Sequence, residues 1–360
     1  MRREAFGTTF FGAEGFLDTA TSGLPPCFVA DAMRDCVRSW AQGRLQMSTF
    51  DAPMRASRAA YAALVGVDES RVTMGTSVSS AIGLVAASIP DGTRVATLRG
   101  EFTSVTFPFA AQAARGVTVT ELPAGLLEDA AGDFDVVAAS LVQSADGAVL
   151  DVERLRRNAA ESGTLTLIDA THALGWRNIE MPWADAVVSV SYKWLLGPRG
   201  VAWMSLSQRL SDALIPHLAN PYAGEDLWSS VYGLPMRLAG GARRFDAAPV
   251  WFSILGAGLA LPWVASLDRV AVEAHGVGLA NRLRAELGMP AVDSPIVSIP
   301  GSPHTDSLRR AGVRASVRAG SARVGFHLYN TDGDLDRLLD GLSPRGRPPP
   351  QRATHCEEPR

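Results

Sequence analysis

From about residue 50 to residue 206 the chain alternates between two hydrophobic rhythms. Helical spacing covers 79–88, 106–114 and 152–162, and short β-rich runs cover 94–98, 134–142, 164–169, 185–191 and 201–206. The strand runs are apolar on both faces, as in FDVVAASLV and TLTLIDA, which suits strands of a parallel sheet covered by helices. Such alternation predicts an open α/β sheet, whose ligands bind beyond the carboxyl ends of its strands. From 251 to 287 the pattern is helical. A shorter α+β stretch follows, with a VSI strand, a strand over 322–327 and a closing helix over 332–341. The expected layout is an N-terminal arm at 1–15, a large domain at 16–250 and a smaller C-terminal α+β domain at 251–342. The tail at 343–360, SPRGRPPPQRATHCEEPR, is proline- and charge-rich and is expected to be disordered. No internal repeat is visible.

Composition narrows the class. At 360 residues the chain can bury a large core, and 47% hydrophobic with 20% charged residues is an ordinary globular balance. A formal net charge of −3 gives no reason to expect nucleic acid or a membrane surface as partner. The three cysteines, Cys27, Cys36 and Cys356, are odd in number and lack C-x-x-C spacing, and the six histidines form no paired motif. No disulfide framework and no metal site are therefore expected. The N-terminus, MRREAFGTTFFGAEGF, has no long apolar stretch of the signal-peptide kind, and no apolar run approaches a membrane span. The expected location is the cytoplasm.

One residue type changes the picture. Of 34 lysines plus arginines a single one, Lys193, is lysine, which leaves 33 arginines. A codon bias toward arginine accounts for the depletion but not for the survivor. Arginine supplies charge and solubility as well as lysine does, yet it cannot lose its proton and act as an amine nucleophile. A lysine kept under that pressure points to amine chemistry, first of all a Schiff base. Lys193 follows the strand run DAVVSVSY and precedes WLLGPRG, and 24 residues upstream TLTLID ends on Asp169. An amine and a carboxylate at strand ends are what pyridoxal phosphate requires: the amine holds the aldehyde and the carboxylate pairs with the protonated pyridine nitrogen. Taken alone, Asp169 could equally be a helix cap.

The stretches LIDATHALGW and VSVSYKWLLGPRGVAW resemble the class V aminotransferases, fold-type I pyridoxal phosphate enzymes. That group includes cysteine desulfurases, kynureninase, isopenicillin N epimerase and hercynylcysteine sulfoxide lyases. The resemblance runs from FLDTATSGLPP to LYNTDGDLDRLLDGL, residues 16 to 342. It implies a large, mainly parallel-sheet domain with helices on both faces and a smaller α+β domain. It also implies Lys193 as the Schiff-base lysine and Asp169 as partner of the pyridine nitrogen. His172 stands where relatives place a His or Gln beside the phenolic oxygen. Tyr192 matches a phosphate-contacting position, with packing as its other reading. In TMGTSVSSAIGL, Gly75, Thr76, Ser77 and Ser79 match the phosphate cradle at a helix entrance, where backbone N–H groups and the dipole favour an anion. Phe102 resembles the aromatic that stacks on the pyridine ring, with core packing as the alternative, and Gln143 a polar residue near the cofactor's oxygen. In SVRAGSARVGFHLYNT, Arg323 occupies the position that grips a substrate carboxylate, with Arg318 as second candidate.

Two departures bear on the reaction. Desulfurases of the family carry a nucleophilic cysteine between the equivalents of Arg318 and Arg323, where this chain has only Ala319, Gly320, Ser321 and Ala322. The family's FEAGTPN-like stretch, which brings a phosphate contact from a neighbouring subunit, is FDAAPVWF here. A persulfide-forming desulfurase is thus not expected. The resemblance implies an enzyme acting on an amino-acid-type substrate, with β-elimination slightly ahead of transamination or epimerisation. A binding or regulatory module on the same fold is the other class, and retention of the lone lysine argues against it. Homodimers are implied by the family, and Trp228, Tyr232, Trp251 and Phe252 form an aromatic-rich segment suited to an interface.

Overall fold

The apolar runs assemble around one seven-stranded sheet in a computed structural model that describes residues 2–301 and 305–343. Cys356 and all but the first residue of the tail lie outside the described residues. The chain opens with a hairpin, β1 (Arg2–Ala5) and β2 (Thr8–Phe11), followed by helices α1 (Cys27–Ala41) and α2 (Asp51–Val65). Then come β3 (Val72–Gly75), α3 (Val78–Ser88), β4 (Arg94–Leu98), α4 (Thr103–Ala110), β5 (Thr118–Leu122) and α5 (Leu126–Asp129). The middle of the chain forms β6 (Val136–Ser140), α6 (Val152–Ser162), β7 (Leu165–Asp169), β8 (Ala186–Val190), β9 (Ala202–Leu206) and α7 (Gln208–Ala213). The C-terminal part runs α8 (Trp251–Ser266), α9 (Arg269–Glu286), β10 (Ile296–Ile299), α10 (Thr305–Arg310), β11 (Ser316–Arg318), β12 (Ser321–Gly325) and α11 (Asp332–Leu342).

The large sheet has the order β3-β9-β8-β7-β6-β4-β5. Its strands β5, β4, β6, β7 and β8 are parallel, while β9 runs antiparallel to both β8 and β3. The expectation of an open α/β sheet holds, and the difference is this antiparallel insertion. Apolar patterning cannot report it, because a strand buried on both faces reads the same in either direction. All five residues of β6, β8 and β9 are buried. Sequence and structure agree closely on α3, α6 and β7, whereas the helix expected at 106–114 begins earlier, at Thr103, and gives way to a short 3-10 turn after Ala110. The helical stretch 251–287 is two helices, α8 and α9, that meet at an angle of 92°. Asp268 caps the second by accepting from the Ala271 N–H.

A separate three-stranded antiparallel sheet, β10-β12-β11, buries its own apolar cluster with α9 and α11, from Leu279, Leu283, Val297, Val324, Phe326 and Leu338. The hairpin at the N-terminus is tied to this part of the molecule: Arg3 pairs with the buried Asp334 and donates to the carbonyl of Tyr329 at 2.9 Å. No single helix among the described residues is long and apolar enough to cross a membrane.

Candidate active site

Sheet register gathers the candidate residues at one edge. A single row across the strands joins Ser140, Asp169, Val188, Met204 and Thr73; one step further toward the same edge lie Val190, Ala202 and Gly75. Because β9 inverts twice, once against β8 and once against β3, the end of β3 faces the same way as the ends of β7 and β8. The start of α3, the Asp169 carboxylate and the turn bearing Lys193 therefore converge.

Lys193 is 7% exposed, and its amine lies 2.8 Å from His172 Nε2. The Phe102 ring centroid is 5.4 Å from the amine nitrogen and that of Tyr192 6.0 Å. Burial pushes the amine down from 10.5 to about 8; the nearby Asp169 charge works against this, and Arg323, Arg318 and Arg199 reinforce it. The backbone around the lysine is held tightly: the Gly23 N–H donates to the Tyr192 carbonyl at 2.8 Å, and a Cβ on Gly23 would stand 2.1 Å from the Lys193 carbonyl oxygen. Only glycine permits that approach.

Asp169 is buried and accepts from the Thr171 N–H at 2.9 Å, but it forms no ion pair among the described residues. Burial raises its carboxyl to about 6, against opposing effects of Thr171 and Lys193. His172 is held neutral, its ring pushed well below its ordinary value by burial first and by Lys193 and the two arginines next. Its Nδ1 accepts from the indole N–H of Trp194 at 3.2 Å.

At the start of α3, Ser77 caps the helix by accepting from the Ser80 N–H at 3.1 Å, so its hydroxyl serves the helix itself. Thr76 and Ser79 are exposed beside it. Tyr192 is half-buried, with the Arg199 guanidinium 5.0 Å from its ring centroid. Phe102, 46% exposed, keeps much of its ring open instead of joining the core.

Arg323 is 1% exposed and donates to the Ser144 carbonyl and hydroxyl, to Thr21 Oγ1 at 2.8 Å and to Ser316 Oγ at 3.1 Å, while its Nε has no partner. Arg318 donates to the same Thr21 hydroxyl at 3.3 Å. Every one of these acceptors is neutral. Burial, and then the charge of Arg318, bring Arg323 down to about 10, against the opposing charge of Asp18. A buried guanidinium with no direct ion-pair partner among the described residues is costly, and an anionic ligand would offset that cost.

Sequence reasoning missed Glu101. Its buried carboxylate accepts from the backbone of Phe102 and Ser140 (both 2.7 Å), from Ser140 Oγ at 2.6 Å and from Gln143 Nε2 at 3.0 Å. It thus fixes two of the predicted site residues at once. Thr21, Ser144 and Trp194 were missed as well; a tryptophan directly beside the lone lysine was the one available signal.

This donor set suits pyridoxal phosphate. A buried carboxylate with no ion-pair partner among the described residues matches a protonated ring nitrogen, exposed hydroxyls at a helix N-terminus match a phosphate, and a partly exposed phenylalanine ring stands beside an amine of lowered basicity.

The comparisons with known proteins agree. Residues 16–293 match the family model for aminotransferase class-V, and the chain belongs to that family of pyridoxal phosphate enzymes. The probable hercynylcysteine sulfoxide lyase of Mycobacterium tuberculosis is 27% identical over 91% of this chain and 89% of that protein. The isopenicillin N epimerase of Streptomyces clavuligerus is 25% identical over 79% and 83%. Among solved structures, the cystine C-S lyase C-DES, in complex with cysteine persulfide, superposes with a TM-score of 0.82 at 16% identity, over 93% of this chain and 99% of that one. The cysteine desulfurase CsdA of Escherichia coli gives 0.78 at 19%, over 92% and 94%. These likenesses show the fold. The expected fold type is thus borne out, as are the family and its cofactor.

Proposed function

We propose that the chain is a C–S lyase acting at Cα of an amino-acid-type substrate. The observation that carries this reading is the buried Lys193 amine of lowered basicity at the same sheet edge as an unpaired Asp169. Pyridoxal phosphate, when bound, supplies the electron sink that stabilises negative charge at Cα. Asp169 would hold the pyridine nitrogen, Thr76, Ser79 and the α3 N-terminus the phosphate, and Phe102 one face of the ring. Tyr192, Ser77 and Gln143 complete the cofactor's surroundings. Arg323, with Arg318 beside it, orients the substrate carboxylate. Lys193 would take the Cα proton and return it to the departing sulfur; the C–S bond breaks with its electron pair leaving on sulfur, and the released three-carbon enamine tautomerises to an imine that one water hydrolyses to pyruvate and ammonia.

The absence of cysteine from Cys36 to Cys356 favours direct elimination over a persulfide-forming route. Among the described residues the free cysteines are Cys27 and Cys36, both on α1. Aminotransferase or epimerase chemistry would use the same residues, and the resemblance to isopenicillin N epimerase keeps that reading second. We place the enzyme in the cytoplasm as a homodimer, its interface including the exposed Trp228 and Tyr232. The large domain at 16–250 and the small one at 251–342 are proposed as its two units.

The deciding experiment incubates the purified enzyme with cysteine S-conjugates and their sulfoxides without any amino acceptor. Stoichiometric pyruvate is expected, with thiol released from the S-conjugates and sulfenic acid from the sulfoxides. Product formation that requires a 2-oxo acid would make the enzyme an aminotransferase, and loss of Cα stereochemistry without pyruvate would make it an epimerase.

A further inference from the structure

His172 has one partner on each ring nitrogen: Trp194 Nε1 at 3.2 Å from Nδ1, and Lys193 Nζ at 2.8 Å from Nε2. An indole nitrogen can only donate. The Nδ1 atom must therefore be the acceptor, and in a neutral imidazole the single proton then sits on Nε2. That proton points at Lys193. An ammonium would offer it only further N–H donors, whereas the free amine offers a lone pair.

We infer that Trp194 is a positioning residue that selects the Nε2–H tautomer of His172, and that this tautomer holds the Lys193 amine as an oriented free base. The inference rests on the reading of Lys193 as the reacting amine and deepens it. A nucleophilic lysine must be unprotonated, and here the histidine next to it is set to donate rather than to accept.

The indole cannot easily turn away. Trp194 is fully buried, 6.1 Å from Trp176 and 5.1 Å from His327 between ring centroids, both edge-on. Its carbonyl accepts from His327 Nε2 at 2.9 Å. Gly175 allows this segment to pass, since a Cβ there would lie 2.2 Å from the Trp194 carbonyl oxygen. On its other side, the Trp176 indole donates to the His172 carbonyl at 2.6 Å, fixing the histidine backbone.

The remaining charged and titratable groups act on the pair through space. Asp169 lies at the end of β7, Arg318 and Arg323 on β11 and β12, and Arg199 and Tyr192 in the segment around Lys193, while Glu101 raises Asp169. Lowered basicity of Lys193 and suppressed protonation of His172 accord with the tautomer but do not define it. The hydrogen-bond geometry does.

The test reads the proton directly. The full-length chain, freed of cofactor, is labelled with 15N in its histidine rings, and His172 is assigned by comparison with His172→Gln. We expect Nε2 protonated and Nδ1 bare. Because Trp194→Phe could loosen the core, a second variant carries benzothienylalanine at position 194, which keeps the indole's shape but replaces its N–H with sulfur. In that variant the proton should move to Nδ1. The acylation midpoint of the sole side-chain amine, followed against pH, should rise by about one unit, because Nε2 would then accept from an ammonium. An Nδ1–H tautomer in the unmodified chain overturns the inference. So does a benzothienyl variant with unchanged tautomer and midpoint, since packing alone would give that result. Neither outcome touches whether Lys193 binds pyridoxal phosphate, which borohydride trapping reads separately.

Discussion

Asp185 and Asp169 are both buried aspartates of the same sheet, at its opposite ends, and they are treated in opposite ways. Asp185, just before β8, accepts from Arg209 Nε at 2.6 Å and Nη2 at 2.5 Å, from Ser207 Oγ at 2.7 Å and from the Thr166 N–H at 2.9 Å. Burial alone would raise its carboxyl, but Arg209, Thr166 and Ser207 outweigh it and leave the group below its ordinary value. Asp169, at the end of β7, accepts from Thr171 alone, and burial prevails, up to about 6. One aspartate is finished by the protein and contributes to stability. The other is left for something the chain does not supply. Arg323 repeats the second pattern with a cation, since all its acceptors are neutral oxygens. Buried charges left without a direct ion pair are where the charges of a bound ligand would be matched.

The largest expected effect is at Lys193. Lys193→Arg keeps the charge but removes the amine, because guanidinium stays protonated. Loss of the proton carrier alone costs on the order of 10²–10⁴-fold in kcat, and borohydride should no longer fix pyridoxyl to the chain. Wild-type protein should carry it on the tryptic peptide containing Lys193 and on no other side chain. Full turnover by the arginine variant would end the enzyme assignment at this site.

Arg323→Ala removes a charge-assisted grip on carboxylate, on the order of 2–4 kcal/mol, or roughly 30- to 1,000-fold in KM. Cofactor occupancy should stay near wild type. If KM for a carboxylate-bearing substrate does not move, Arg318 takes over the role.

Asp169→Asn should raise stability while weakening the cofactor. The carboxyl's folded-state value lies above the ordinary 3.8, at about 6. The folded state therefore binds the proton more tightly, and the penalty of the ionised form is fully present above pH 6 and absent below 3.8. Urea denaturation of the cofactor-free variant should show a gain on the order of 2–3 kcal/mol at pH 7, vanishing near pH 4. A loss of stability at pH 7 would mean that the carboxylate has a structural partner.

How far the sequence carried depended on what kind of signal each part leaves. The continuous apolar runs of β6 to β9 are unmistakable because both faces are buried. The edge strand β5, TVTEL, has no buried residue and left no comparable mark. Lys193, Asp169 and His172 were legible from the lone lysine, strand ends and family motifs. Glu101, Thr21 and Ser144 were not, because they are ordinary polar residues whose partners lie far away in sequence: Glu101 meets Ser140 and Gln143 across about 40 positions, and Arg323 reaches Thr21 across 302. Long-range pairing of this kind is fixed by the topology of the sheet rather than by local pattern.

The smallest effect belongs to the finished end of the sheet, and it tests the comparison from the other side. Arg209→Ala leaves Asp185 buried without its guanidinium and frees the carbonyls of Gly163 and Thr164, which Arg209 reaches at 3.0 Å each. Arg209 is itself half-exposed, at 51% of its side chain, so solvent screens much of the pair and the loss should be only about 1–2 kcal/mol. The sign with pH is opposite to that of Asp169. Asp185 lies below its ordinary 3.8, so the stability its partners give is present above pH 3.8 and fades as pH falls through the lower folded value. Wild type and Arg209→Ala should therefore differ at pH 7 and converge in acid, while kcat and KM per folded molecule stay unchanged. A variant that lost activity without losing stability would show that the two ends of the sheet are not separate, and that Asp185 reaches the site through β8.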